Sequence, residues 1–133
     1  LVRSEGLAAA PYAHAAAVDA GSELIFLAGA CPLDDDGLTV AVGDVAGQAR
    51  RCVETMLIAL DAAGAALADV ASTRVLVASS DRRDLVAAWN AVRNAFGDHD
   101  VPSTLVGVAV LGYEDQLVEI EAVAAVRRGG TRG

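Results

Sequence analysis

The chain has 133 residues, 54% of them apolar and 21% charged, a size and balance that fit one globular domain and exclude a disordered or low-complexity chain. Eighteen acids against ten basic residues give a net charge of −8, and the only adjacent basic pairs are Arg50/Arg51, Arg82/Arg83 and Arg127/Arg128, so no basic stripe is available to displace counterions from a nucleic acid. Two cysteines are too few for a disulfide scaffold, Cys31, Cys52, His14 and His99 lack zinc-type spacing, and the apolar run 24–31 is far short of the roughly 20 residues that span a bilayer; no metal, no nucleic acid, no membrane and a cytoplasmic location are the expectations.

Residues 12–18 and 24–30 are β-compatible runs separated by Asp19, Ala20, Gly21 and Ser22, which predicts an antiparallel hairpin. Pro32 and the Asp34, Asp35, Asp36, Gly37 stretch then read as a solvated loop, without the alternation or distal Glu of an EF-hand. Asp44 is a good N-cap for the first helix. There Val45, Ala49, Cys52, Val53, Met56, Leu57 and Leu60 form one apolar stripe that Gly64 stops, which makes Cys52 a packed thiol.

Residues 72–78 predict a strand with Thr73, Val75 and Val77 on one face and Ser72, Arg74, Leu76 and Ala78 on the other. Asp81 or Asp84 caps a second helix, in which Leu85, Ala88, Trp89, Val92 and Phe96 hold phase before Gly97. His99 falls in the next loop and reads as a surface imidazole. Residues 104–111 are apolar on both alternating faces, the pattern of a strand covered on each side. Residues 117–126 form the last strand, with Leu117, Glu119, Glu121 and Val123 opposite Val118, Ile120, Ala122 and Ala124. The order ββαβαββ describes an α+β domain over residues 1–126, a mixed sheet with two helices on one face, followed by a flexible tail over 127–133. The excess of Ala and Val, with only 4% aromatics, suits a second sheet face buried by other subunits.

No G-x-G-x-x-G, P-loop, G-x-S-x-G or H-E-x-x-H occurs, so dinucleotide, phosphate, nucleophile-elbow and zincin chemistry lose their usual support. Acid chemistry remains. Glu119, flanked by Leu117, Val118 and Ile120, could be desolvated into a general acid or base; the competing reading is a solvated strand edge or an ion pair with Arg74.

Several pieces then occur together in a fixed order: Pro11-Tyr12, Leu27-Ala28-Gly29, Gly43-Asp44-Val45 with Gln48, Ala62-Ala63-Gly64-Ala65, Asp69-Val70 before Thr73, Asn90, Pro102, and Glu119-Ile120-Glu121-Ala122-Val123-Ala124. In this order they resemble the Rid family, the reactive-intermediate deaminases also called YjgF-type proteins. The resemblance implies a chorismate-mutase-like homotrimer whose sheets form a central barrel with clefts between subunits. It further implies cofactor-independent hydrolysis of 2-imino or enamine acids to 2-oxo acids and ammonia, with Glu119 helping to hold the attacking water.

By the same resemblance Tyr12, Gly29, Asn90 and Thr104 line the substrate site, where Tyr12 and Asn90 could donate hydrogen bonds or simply pack. The sequence departs from the family pattern at Thr104, which stands where the deaminases carry the Arg that clamps the substrate carboxylate. One neutral hydroxyl does not replace a bidentate guanidinium, a loss of about 1.5–3 kcal/mol in binding. Ala28-Gly29-Ala30 in place of the common Ser-Gly-Gln, and His14 in place of Gln, make the pocket more apolar. The expectation is therefore an imine or enamine deaminase of altered specificity; the alternative is a non-catalytic trimer that binds a small molecule or regulates. Arg74 is a possible substitute cation, and Cys31 reads as core.

Overall fold

A computed structural model describes residues 1–128. Its elements are β1 (Ser22–Phe26), α1 (Val45–Ala62), β2 (Val70–Val77), α2 (Arg82–Phe96), β3 (Ser103–Gly107) and β4 (Val118–Arg127), with a short 3-10 turn at Leu67–Asp69. The four strands form one mixed sheet in the order β1-β4-β2-β3, so the fold is α+β with two helices, as expected. β4 runs antiparallel to both neighbours, while β2 and β3 are parallel and joined through α2, the crossover that parallel pairing requires.

Both helices begin where their caps lie. The Asp44 carboxylate accepts from Gly47 N at 3.0 Å to open α1. Asp81, rather than Asp84, opens α2 by accepting from Arg83 N at 2.9 Å, and Asp84 instead receives the Ser79 hydroxyl at 2.6 Å. Gly97, at a φ of 61°, closes α2 in the left-handed region where a side chain would be strained. Cys52, Met56 and Leu60 of α1 and Ala88, Val92 and Phe96 of α2 pack on Val75, Val77, Val118, Ile120, Ala122 and Ala124, which form the core on one face of the sheet. Cys52 is fully buried there, and burial raises its thiol pKa above the ordinary range.

Three expectations are corrected. Residues 12–18 form no hairpin strand: Ala15 makes an isolated bridge with Val2, Ala13 N bonds to Asp100 O at 2.7 Å, and β1 pairs with β4 instead. The segment is rich in Ala, which offers a sheet too little side chain to pack. β3 ends at Gly107, where a Cβ would press on the Ser79 carbonyl, and Val110 beyond it is 79% exposed. The apolar run from 104 to 111 is thus partly a loop. His99 is half-buried rather than a surface group, with Nε2 2.8 Å from Val70 O and its ring stacked on Phe96. Arg127 closes β4 and Arg128 pairs with Glu23; the rest of the expected tail, 129–133, lies outside the described residues.

Candidate active site

The pairing register sorts the other sheet face unambiguously. Arg74 on β2 lies opposite Glu121 of β4 and opposite Thr104 of β3, and Leu76 lies opposite Glu119 and Val106. Leu24 and Phe26 of β1 pair with Ala125 and Val123, adding two large apolar side chains to that face, 48% and 74% exposed. No helix covers this side among the described residues.

Glu119 sits half-buried at one end of this face, where the chain after β1 returns to β4 through a bridge between Ala30 and Ile120. That bridge turns Ala30 into the core and brings Gly29 and Cys31 alongside the carboxylate. A Cβ on Gly29 would overlap Glu119 Oε2, so a glycine is required for the carboxylate to lie where it does. Oε1 accepts two hydrogen bonds, from Cys31 Sγ at 3.3 Å and from Gln116 Nε2 at 3.1 Å. No hydrogen bond among the described residues reaches Oε2. Burial, the hydrogen bond to Glu119 and the negative charge of Glu119 together push the Cys31 thiol up to about 11 from its ordinary 9.0, so it is a neutral donor at physiological pH.

Glu119 is not the partner of Arg74. The guanidinium reaches Glu121 Oε1 at 3.5 Å, an open pair with both side chains about half exposed. Register explains the choice, because Glu121 is directly across from Arg74 and Glu119 is one pleat further on.

Tyr12 and Thr104 belong to a second cleft. It is lined by Pro11, Tyr12, Trp89, Ser103, Thr104 and Leu105, with a volume of about 480 Å³. Tyr12 meets Trp89 edge to face, ring centroids 5.9 Å apart, so an aromatic corner walls the cleft beside the exposed Thr104. Asn90 is exposed on α2, outside this cleft, and nothing in a single chain brings it to Glu119. Thr104 and Glu119 are separated by β2 and by two residues along the strands, about 12 Å at sheet spacing.

Of the expected site residues, one chain therefore joins Glu119 with Gly29 and, separately, Tyr12 with Thr104. Cys31 is not a core residue as expected but lies half-buried beside Glu119, because its neighbour Ala30 takes the inward position. Gln116 was not anticipated at all. Its position three residues before Glu119, at the turn into β4, is the one signal the sequence held.

The family model described as Endoribonuclease L-PSP matches residues 3–126. The 3-aminoacrylate deaminase RutC of Acinetobacter baylyi is 32% identical over 117 residues, covering 88% of each chain. The chain belongs to the Rid (YjgF/RutC) family. Among solved structures, the YjgF gene product of E. coli is 32% identical, with a TM-score of 0.67 over 96% of this chain and 98% of that one. A Rid protein from Yersinia pestis superposes with a TM-score of 0.85 at 26% identity, over 95% and 97%. The Rid fold thus accounts for the sheet order and the two helices, and the match reaches from the N-terminal segment that carries Tyr12 to the end of β4.

Proposed function

We propose that the protein is a hydrolytic deaminase of reactive imines or enamines, acting in the cytoplasm as a homotrimer with its sites between subunits. The observation that carries the reading is the Glu119 carboxylate, half-buried beside Gly29 with one oxygen held and the other open. A carboxylate so placed can accept a proton from water as the water oxygen bonds to an imine carbon and pass it to the nitrogen; it then takes the hydroxyl proton of the addition product and delivers it to the nitrogen as the C–N bond breaks. The imine and one water become a carbonyl compound and ammonia. An enamine would first take a proton on carbon to become the imine. The 3-aminoacrylate named for the Acinetobacter relative is an enamine of this kind.

A neighbouring copy completes the site. A substrate of about six or seven heavy atoms is too short to touch Glu119 and Thr104 of one chain, about 12 Å apart. The uncovered face, with Leu24, Phe26, Leu76, Val106 and Val123, supplies the apolar surface on which copies would close into a barrel. The Tyr12, Trp89 and Thr104 cleft of one subunit would then face Glu119 of the next. Thr104 offers a hydroxyl in place of a cation, which favours substrates less dependent on a carboxylate clamp. The ribonuclease activity in the family's description draws no support from a chain of net charge −8.

The deciding measurement is ammonia release from freshly generated 2-iminobutanoate and from an imine without a carboxylate, comparing wild type with Glu119→Gln. Turnover should fall about 100-fold or more in the variant. Equal turnover by both proteins would overturn the role of Glu119. Silence of the wild type on both substrates would favour the second reading, a binding trimer, for which the exposed and neutral Thr104 is the specific support.

A further inference from the structure

We infer that Cys31 and Gln116 are positioning residues for Glu119: they hold Oε1 from two sides and so leave Oε2 as the oxygen that accepts a proton. The inference rests on the deaminase reading for its catalytic consequence, although the arrangement itself can be tested without turnover.

Gln116 is almost wholly buried, and its amide is fully engaged. Its Nε2 donates to Val118 O at 3.0 Å and to Glu119 Oε1 at 3.1 Å, while its Oε1 accepts from Tyr113 N at 3.1 Å. The side chain is therefore a rigid bracket between the turn at Tyr113 and the first residues of β4. Any rotation of Glu119 about its terminal torsion would break that bond. Such a buried amide left without its acceptor would be costly, which keeps the carboxylate in place.

Cys31 approaches the same oxygen from the strand-end side. Its single proton has two acceptors in reach, Glu119 Oε1 at 3.3 Å and Gly29 O at 3.5 Å, and the charged and nearer one is the stronger. The Cys31 carbonyl is itself fixed by the Thr55 hydroxyl of α1 at 3.1 Å, so the thiol hangs from an anchored backbone. The thiol remains protonated well above neutral pH, as a donor must. With Oε1 occupied by two donors and no hydrogen bond among the described residues reaching Oε2, Oε2 is the carboxylate oxygen left to accept a proton. Fixing the carboxylate in this way limits the positions a water can take relative to the imine.

The test combines kinetics with a chemical readout. Cys31→Val and Gln116→Met, which keep volume but donate nothing to a carboxylate, should each lower kcat about tenfold with KM changed less than twofold. Cys31→Ser, which restores a donor, should recover most of the loss seen in Cys31→Val. Thermal unfolding of each variant separates misfolding from misplacement. Independently of activity, peptide-resolved alkylation of Cys31 by iodoacetamide across pH should move its onset to lower pH in Glu119→Gln, because the variant removes both the charge and the charged acceptor. Unchanged kcat in Cys31→Val and Gln116→Met, with Glu119→Gln inactive, would overturn the positioning role and leave the deaminase reading standing. An alkylation profile indifferent to Glu119→Gln would overturn the Cys31 contact itself, whatever the turnover. If Glu119→Gln stays active while the alkylation onset shifts, the contact stands and its catalytic purpose is overturned together with the role of Glu119.

Discussion

The two faces of β4 differ in what covers them. Val118, Ile120, Ala122 and Ala124 are at most 4% exposed beneath α1 and α2, whereas Glu119, Glu121 and Val123, on the same ten-residue strand, face away from any helix. One side is saturated by the chain's own apolar residues and needs nothing else. The other mixes two acids, an arginine and large apolar groups, a composition that neither buries itself nor suits water alone. A single period-2 strand thus separates stability from chemistry, and substitutions one residue apart should report different properties.

The largest effect belongs to the covered side. Ile120→Ala removes a fully buried side chain beneath the helices and should cost about 3 kcal/mol, a drop on the order of 10 °C in Tm by calorimetry. A change below about 1 kcal/mol would mean that this face is not the core. Next, Phe26→Asp on the open side should leave secondary structure intact by circular dichroism but convert the oligomer to monomer in analytical ultracentrifugation. An assembly that survives this charge would show that copies meet through another surface.

Alkaline pH probes the boundary between the faces. A thiol whose pKa is raised by folding stabilises the folded chain fully below its unfolded value of 9.0, and that contribution is lost as pH rises toward about 11. Tm should therefore fall between pH 8 and 10.5, and less so in Cys31→Ser, whose hydroxyl does not ionise in that window. Buried Cys52 adds a part in the same direction that Cys31→Ser leaves in place. Equal losses in both proteins would assign the whole effect to the covered side.

The smallest effect is expected of Arg74→Ala, which removes an open, half-exposed ion pair and should change stability by less than about 1 kcal/mol in urea unfolding, an effect that added salt erases. A larger loss would show that the open face contributes to the fold after all.

The covered side was legible because burial leaves a periodic trace. The stripe from Val45 to Leu60, of which only Leu57 is exposed, the phase of Leu85 to Phe96 and the alternation along β4 each have one packing solution, and the caps at Asp44 and Asp81 sit where side-chain chemistry requires them. Residues 12–18 read as a strand although they form none, because an Ala-rich run is compatible with a strand without specifying one. On the open side, Glu119 stood out as an acid among apolar neighbours, but its surroundings did not. Gln116 meets it from three residues before, and Cys31 meets it through a strand-end bridge 88 residues away in sequence, a closure that no local pattern encodes. Arg74 illustrates the same limit, since its choice of Glu121 over Glu119 depends on register alone.

The last strand of the described chain occupies an interior place in the sheet, between the first strand and the second. Until it emerges from the ribosome, β1 has no neighbour and the apolar faces of both helices lack half of their floor. The core therefore stays incomplete until β4 is made, and Glu119 arrives in the segment that closes it. A chain interrupted before β4 would leave β1 and β2 each with an unpaired edge, which makes such a fragment prone to aggregation and proteolysis.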